Sequence, residues 1–268
     1  MNYQVDIIII GDSKSGHSIL DKIAATKPTI KLAFISKEFK STTTHDYLNV
    51  EYFKDEVELV GYKHRLFCCY LKNGDNIFST HLVIASGLDY EPLIINNENV
   101  PCVFNSINDV PKSSKDQPAV VICNQESDVK FALDVAKKYR QVYLCTKEIN
   151  LVENISSATA KKLSKVENLA ILPNTSIKKI ISNNGELQKV ELDNYSEITC
   201  SAIYAKTDSK PAIDFVPRNI LPREYGYPVI KDNCASVLVP CCFVAGDCIN
   251  KYTKTMEQKL IESILKDF

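Results

Sequence analysis

Three short segments hold residue types suited to binding a phosphorylated ligand. The first is Gly11-Asp12-Ser13-Lys14-Ser15-Gly16, which follows the apolar run ending Ile7-Ile8-Ile9-Ile10 and leads into an amphipathic stretch from about His17 to Thr26. Glycines in such a turn reach positive φ and let backbone amides approach a pyrophosphate at a helix N-terminus. Gly11 and Gly16 hold the outer positions and Ser13 the middle one. The Ser13 Cβ costs some approach distance, while its hydroxyl can itself bond a phosphate oxygen. Lys14 adds a positive charge to the turn or is simply solvated. The second segment is Ser86-Gly87, closing the buried-strand pattern His81-Leu82-Val83-Ile84-Ala85, and the third is Gly246-Asp247, closing Cys242-Phe243-Val244-Ala245. Taken alone, each is also an ordinary strand-ending turn, and Gly246-Asp247 is a candidate N-cap for the last helix.

Other chemistry is poorly supported by spacing. The ten cysteines include no C-x-x-C pair and no zinc pattern with histidine. Cys68-Cys69 and Cys241-Cys242 are vicinal pairs, badly placed for disulfide geometry, and several cysteines lie inside apolar runs. They read as reduced core residues. His17, His45, His64 and His81 are scattered without a metal-ligand pattern, so no metal is expected. No G-x-S-x-G elbow supports a nucleophilic serine. The formal net charge is -1, with 32 Lys and Arg against 33 Asp and Glu, and Lys161-Lys162 and Lys178-Lys179 are short solvated pairs. Nothing here recruits nucleic acid or an anionic membrane. Asp6 interrupts the first apolar stretch and no run is long enough to span a bilayer, so a cytoplasmic protein is expected.

The elements that must position these segments follow from periodicity. Tyr3 to Ile10 suits a strand buried on both faces, and Lys31-Leu32-Ala33-Phe34-Ile35 the next one, so strand, turn, helix and strand form a βαβ unit. Ser36 to Tyr62 is polar and weakly patterned. Arg65–Leu71 and Asn76–Phe78 flank the hairpin signature Lys72-Asn73-Gly74-Asp75. A second βαβ unit comprises Pro118–Cys123, a helix over Ser127–Tyr139 and the strand Gln141–Cys145. Further strands are expected at Leu169–Leu172, Ile177–Ile181, Leu187–Leu192 and Ala202–Tyr204, with Asn183-Asn184-Gly185 as a turn. A final helix runs from about Thr255 to Lys266.

With two βαβ units, the second inserted ahead of a closing strand and Gly-Asp, the chain resembles the thioredoxin reductase-like branch of the two-dinucleotide flavoprotein reductases. Four segments carry the resemblance: Asp6 to Gly16, Leu82 to Gly87, Ala119 to Ile122 with its following turn, and Cys242 to Asp247. It implies two Rossmann-like, three-layer ββα dinucleotide-binding domains, with an FAD domain over 1–98 and 211–268 and a nicotinamide domain over 99–210. It also implies FAD held by Gly11, Asp12, Ser13, Gly16, Ser36, Ser86, Gly87, Gly246 and Asp247, with the aspartate meeting the ribityl hydroxyls. A homodimer is implied as well.

Three departures from that family pattern shape the expected function. The nicotinamide turn reads Cys123-Asn124-Gln125-Glu126-Ser127-Asp128, without glycine and with two acids where a phosphate should dock. Thr146-Lys147-Glu148 leaves one cation for a 2′-phosphate, so NADPH is not expected to bind in the family manner. The redox dithiol is missing, since Pro101-Cys102-Val103-Phe104-Asn105-Ser106 holds one cysteine. Ser36 stands where the family places a ribose-binding acid, with Glu38 two residues on, and Met256-Glu257-Gln258-Lys259 replaces small residues. The expectation is an FAD-binding oxidoreductase that passes electrons to an unidentified acceptor or protein partner. The alternative is a retired reductase scaffold serving as a binding or regulatory module. Only 8 of 268 residues are glycine; four of them fall on the FAD-like segments and none at the nicotinamide turn.

Overall fold

The computed structural model of the chain describes residues 1–39, 47–95, 98–99, 103–105, 116–183 and 186–268. Cys102, His45, Asn184 and Gly185 therefore lie outside the described residues. The chain divides into two compact units, one of residues 1–89 and 209–268 and the other of residues 90–208. The hand-overs fall after Asp89 and Asp208, against the expected 98 and 210.

In chain order the main elements begin with β1 (Asn2–Gln4), β2 (Ile7–Ile10), α1 (Lys14–Thr26), β3 (Leu32–Ser36) and β4 (Val50–Lys54). β5 (Val57–Lys63), β6 (Leu66–Leu71), β7 (Asn76–Ser79) and β8 (His81–Ile84) follow. The second unit holds β9 (Val103–Phe104), β10 (Pro118–Cys123), α2 (Glu126–Ala136), β11 (Gln141–Thr146), α3 (Ser157–Leu163) and β12 (Leu169–Leu172). It continues through β13 (Ile177–Asn183), β14 (Glu186–Leu192), β15 (Glu197–Thr199) and β16 (Ala202–Ala205). β17 (Cys242–Val244) and α4 (Lys254–Leu265) complete the first unit.

In the first unit five parallel strands run in the order β17-β8-β2-β3-β4, beside a second sheet ordered β1-β7-β6-β5. Every residue of β2 and β8 is buried, as a parallel strand covered on both faces requires. One apolar core joins Ile19, Leu20 and Ile23 of α1 and Leu260 and Ile264 of α4 to Val60, Phe67 and Ile77 of the second sheet. The unit is thus three layers: helices, parallel sheet, second sheet.

The second unit repeats the plan with the parallel order β9-β16-β10-β11-β12 and the antiparallel sheet β13-β14-β15. Val129, Ala132 and Val135 of α2 pack with Leu163 of α3 in one core, while Val190 and Leu192 of β14 share another with Val120 and Ile203. Each unit is a Rossmann-like ββα fold, and the second is inserted into the first.

Three local readings need correction, and one helix was not expected. The run from Tyr3 to Ile10 is two strands, because the chain changes sheets at Asp6, whose carboxylate accepts from the Lys31 N–H at 2.8 Å; β1 pairs with β7 and β2 with β3. The segment read as unpatterned contains β4 and β5, both at sheet edges where one face meets water and alternation is weak. α1 starts at Lys14 rather than near His17, since its first turn is held by a cap and not by apolar packing. α3 is seven residues with only Thr159 and Leu163 buried, too short for a periodic signal. Among the described residues, no helix is long and apolar enough to cross a membrane.

Candidate functional site

At the carboxyl end of the first unit's parallel sheet, β17, β8 and β2 lie side by side, and each leads within three residues to a glycine of positive φ. Gly246 has φ +72°, Gly87 +77° and Gly11 +111°. The chain leaves β2 toward β3 on one side and returns on the other as β8, which makes this edge a topological switch point, where ligands of open α/β sheets bind. The glycines differ in what constrains them. A Cβ on Gly11 would stand 2.3 Å from the Ala85 carbonyl oxygen, and one on Gly16 would stand 2.3 Å from that of Gly11. Both are therefore demanded by packing of the turn. Around the Cβ direction of Gly87 there is nothing within 4 Å, so its backbone faces open space.

Ser13 is the N-cap of α1: its Oγ accepts from the Gly16 N–H at 3.0 Å. The hydroxyl proton is left to donate, so capping and ligand contact are compatible. The N–H groups of Ser13, Lys14 and Ser15 have no hydrogen-bond partner among the described residues, as expected for a first helical turn. They form a cluster of donors at the positive end of the helix dipole. Asp12 sits in the same turn with its carboxylate paired to His17 Nε2, and the His17 ring packs 5.0 Å from Phe34.

The remaining expected contacts divide by what their side chains do. Ser86 Oγ donates to the Ala212 carbonyl at 2.5 Å, so it braces the loop. Cys248, buried beside it, accepts from the Gly87 N–H at 3.2 Å and donates to the Gly87 carbonyl at 3.2 Å, tying the ends of β8 and β17 together. Ser36 Oγ donates to the Glu38 carbonyl at 2.8 Å, and Phe39 just beyond stacks on Phe34 at 5.7 Å. Asp247 is exposed and makes no hydrogen bond among the described residues, so its carboxylate is available. Glu257 is buried and turned to α1, accepting from Ser18 Oγ at 2.7 Å and Lys22 Nζ at 2.8 Å. Sequence reasoning missed Cys248 and Ala212, because no motif marks a cysteine or a carbonyl that braces a loop distant in sequence.

The corresponding turn of the second unit is filled by the protein itself. Asp128, only 2 % exposed, accepts through Oδ2 from the N–H of Asn124 at 2.9 Å and of Gln125 at 3.1 Å. Its carboxylate takes the amides that a phosphate would need at the N-terminus of α2. Glu126 turns to the neighbouring helix, accepting from Ser156 Oγ at 2.7 Å and Thr159 Oγ1 at 2.6 Å, with Lys130 Nζ at 3.0 Å. At the end of β11, Thr146 Oγ1 accepts from the Glu148 N–H at 3.1 Å.

The hydrogen bonds from Thr159 and Ser156, with Lys130 beside them, lower the Glu126 pKa to about 2. A carboxylate depressed in the folded state stabilises it above the unfolded pKa, here 4.5, and that contribution is lost as pH falls toward 2. Urea midpoints measured from pH 6 down to pH 2 should therefore fall less steeply in Glu126→Gln than in the parent. Parallel acid slopes would disprove the linkage.

Among the described residues nine cysteines are free, eight of them buried. Burial pushes the Cys145, Cys200 and Cys242 thiols up to about 12, and Cys123 and Cys234 up to about 11. Such thiols are not nucleophiles near neutral pH.

Two ββα units, the second inserted into the first and the first carrying glycine-closed strands around a helix N-terminus, define the class of two-dinucleotide-fold proteins. Solved structures show the same fold. Lactococcus lactis thioredoxin reductase aligns at TM-score 0.70 with 16 % identity, covering 98 % of this chain and 97 % of that one. The T. acidophilum thioredoxin reductase aligns at 0.70 with 14 % identity over 98 % of both chains. That of Streptococcus pyogenes aligns at 0.64 with 14 % identity over 100 % of both. No curated protein sequence matches. The family model for pyridine nucleotide-disulphide oxidoreductases matches residues 5–246, and the chain belongs to that family.

Proposed function

We propose that the chain binds FAD at the carboxyl ends of β17, β8 and β2, and that it is a flavin-dependent oxidoreductase lacking the family's redox dithiol and nicotinamide site. The observation that carries this reading is the set of three positive-φ glycines closing three adjacent strands beside the unpartnered amides of Ser13, Lys14 and Ser15. The residues fit the group. The amides and the Ser13 hydroxyl are donors for a pyrophosphate, Gly87 leaves room for close backbone approach, and Asp247 can accept from sugar hydroxyls. FAD, when bound, supplies the redox chemistry, and the protein positions and tunes it. On the second unit, Asp128 satisfies the amides of Asn124 and Gln125 internally, which supports the loss of family-type NADPH binding. The electron partner would then be another donor or acceptor, free or protein-borne.

One observation favours the alternative, a scaffold that has given up catalysis. Asp12 places a carboxylate, paired with His17, in the phosphate turn, where a negative charge opposes a pyrophosphate. FAD titration separates the two. Under the first reading the purified protein is yellow or becomes so, and FAD at 100 times its Kd stabilises it by about 2.7 kcal/mol. Asp247→Ala, at an exposed position, should weaken FAD binding roughly tenfold, about 1.4 kcal/mol, with the melting profile of the free protein unchanged. A colourless protein whose melting temperature ignores FAD selects the scaffold.

A further inference from the structure

At the opposite, amino end of the same sheet, three side chains from distant parts of the chain converge. His81 opens β8, and the pairing of Leu82 with Cys242 puts Cys241 alongside it. Asp267 follows α4, 186 residues beyond His81, yet its Oδ2 lies 2.9 Å from His81 Nε2. The ligating atoms of His81, Cys241 and Asp267 all fall within 4.8 Å of one another. No histidine or cysteine spacing in the sequence signals this cluster.

The hydrogen bonds around Thr80 set the role of His81 Nδ1. Thr80 Oγ1 lies 3.1 Å from the Asp6 carbonyl oxygen, which can only accept, so the hydroxyl donates there. Its lone pairs then accept from His81 Nδ1–H at 2.9 Å. Nε2 faces the Asp267 carboxylate. A ring nitrogen and a carboxylate oxygen at 2.9 Å need a proton or a cation between them. The ring cannot swing away, because it is 5 % exposed, lies parallel to Phe243 and packs 4.9 Å from Phe268. A histidine whose far nitrogen donates to a fixed partner is the arrangement that orients a metal ligand.

A cysteine–histidine–carboxylate nucleophile does not fit the same atoms. It would need one ring nitrogen on the sulfur and the other on the carboxylate. Here Thr80 and Asp267 occupy the two nitrogens, and Cys241 is near Nε2 without a hydrogen bond to it. One thiolate, one imidazole and one carboxylate around a common point are zinc donors.

We propose that His81 Nε2, Cys241 Sγ and the Asp267 carboxylate bind a zinc ion, with water completing the tetrahedron. The ion joins β8, the entry to β17 and the segment after α4, and so fastens that segment to the sheet. This site stands apart from the glycine-lined edge and does not rest on the flavin reading.

The test uses the full-length protein stripped with chelator and titrated with Co2+ alone. Expected are a thiolate-to-cobalt charge-transfer band with intense tetrahedral visible bands, their loss on adding Zn2+, and a Zn2+-dependent rise in melting temperature. Cys241→Ser should abolish the charge-transfer band. Asp267→Asn, at an exposed position, should weaken Co2+ binding at least tenfold while the melting profile of the metal-free protein stays that of the parent. Thr80→Val should cost roughly 10–100-fold in affinity by releasing Nδ1. The proposal fails if the parent shows no charge-transfer band, if the band survives in Cys241→Ser, or if Zn2+ stabilises Asp267→Asn as much as the parent.

Discussion

Gly11→Ala is expected to destabilise the first unit by about 2–6 kcal/mol. Two costs add. An alanine at φ +111° carries backbone strain of about 1–3 kcal/mol. Its Cβ would also meet the Ala85 carbonyl oxygen at 2.3 Å and the Ser86 Cα at 2.7 Å, both backbone atoms that cannot rotate aside. Forcing such a contact in a packed site costs about 1–3 kcal/mol more. Gly87→Ala is the natural control. It shares a positive φ, +77°, but meets nothing within 4 Å, so only the strain of about 1–3 kcal/mol remains. Urea midpoints of the two variants measure the difference, and equal losses would show that the close approach of β2 and β8 is not as described. The consequence for function is practical. Loss of FAD binding in Gly11→Ala would report a damaged turn and not a lost contact, which is why Asp247 is the better probe.

Asp128→Ala should cost about 2–4 kcal/mol, the second large effect. The carboxylate accepts two backbone amides, from Asn124 and Gln125, inside a site where the residue is 2 % exposed. Hydrogen bonds to a charged acceptor contribute about 1.5–3 kcal/mol, and a buried donor left without a partner costs about 1–3 kcal/mol. Asp128→Asn keeps one acceptor oxygen and should lose less. Thermal or urea unfolding of the pair checks the order. If Ala and Asn variants match the parent, the amides are solvated and the turn is open to a phosphate after all. The same measurement thus bears on the proposed loss of NADPH binding, which supposes that the Asp128 carboxylate stands where a phosphate would dock.

Much of this is legible in the sequence. The four-isoleucine run of β2, the Gly11 to Gly16 turn and the strand endings at Gly87 and Gly246 are local patterns, and the fold places them as their order implies. Less readable were β4 and β5, whose edge positions blur alternation, and the break at Asp6, where one β-branched run serves two sheets. The acids at 126 and 128 were visible as wrong charges for a phosphate turn. That one of them satisfies the turn's own amides while the other clasps Ser156 and Thr159 was not.

By itself, then, the sequence determined the two βαβ units, their nesting, and where glycine was kept or lost. Backbone conformational demand is local, and a residue without Cβ announces it. Tertiary structure alone decided which polar groups are already spoken for. Ser86 is committed to Ala212, Asp12 to His17 and Glu257 to α1, whereas Asp247 stays free among the described residues. It also decided that His81, Cys241 and Asp267 meet. Hydrogen bonds and ligand sets depend on distances of a few ångströms between residues that can be nearly two hundred positions apart, and no spacing along the chain encodes them.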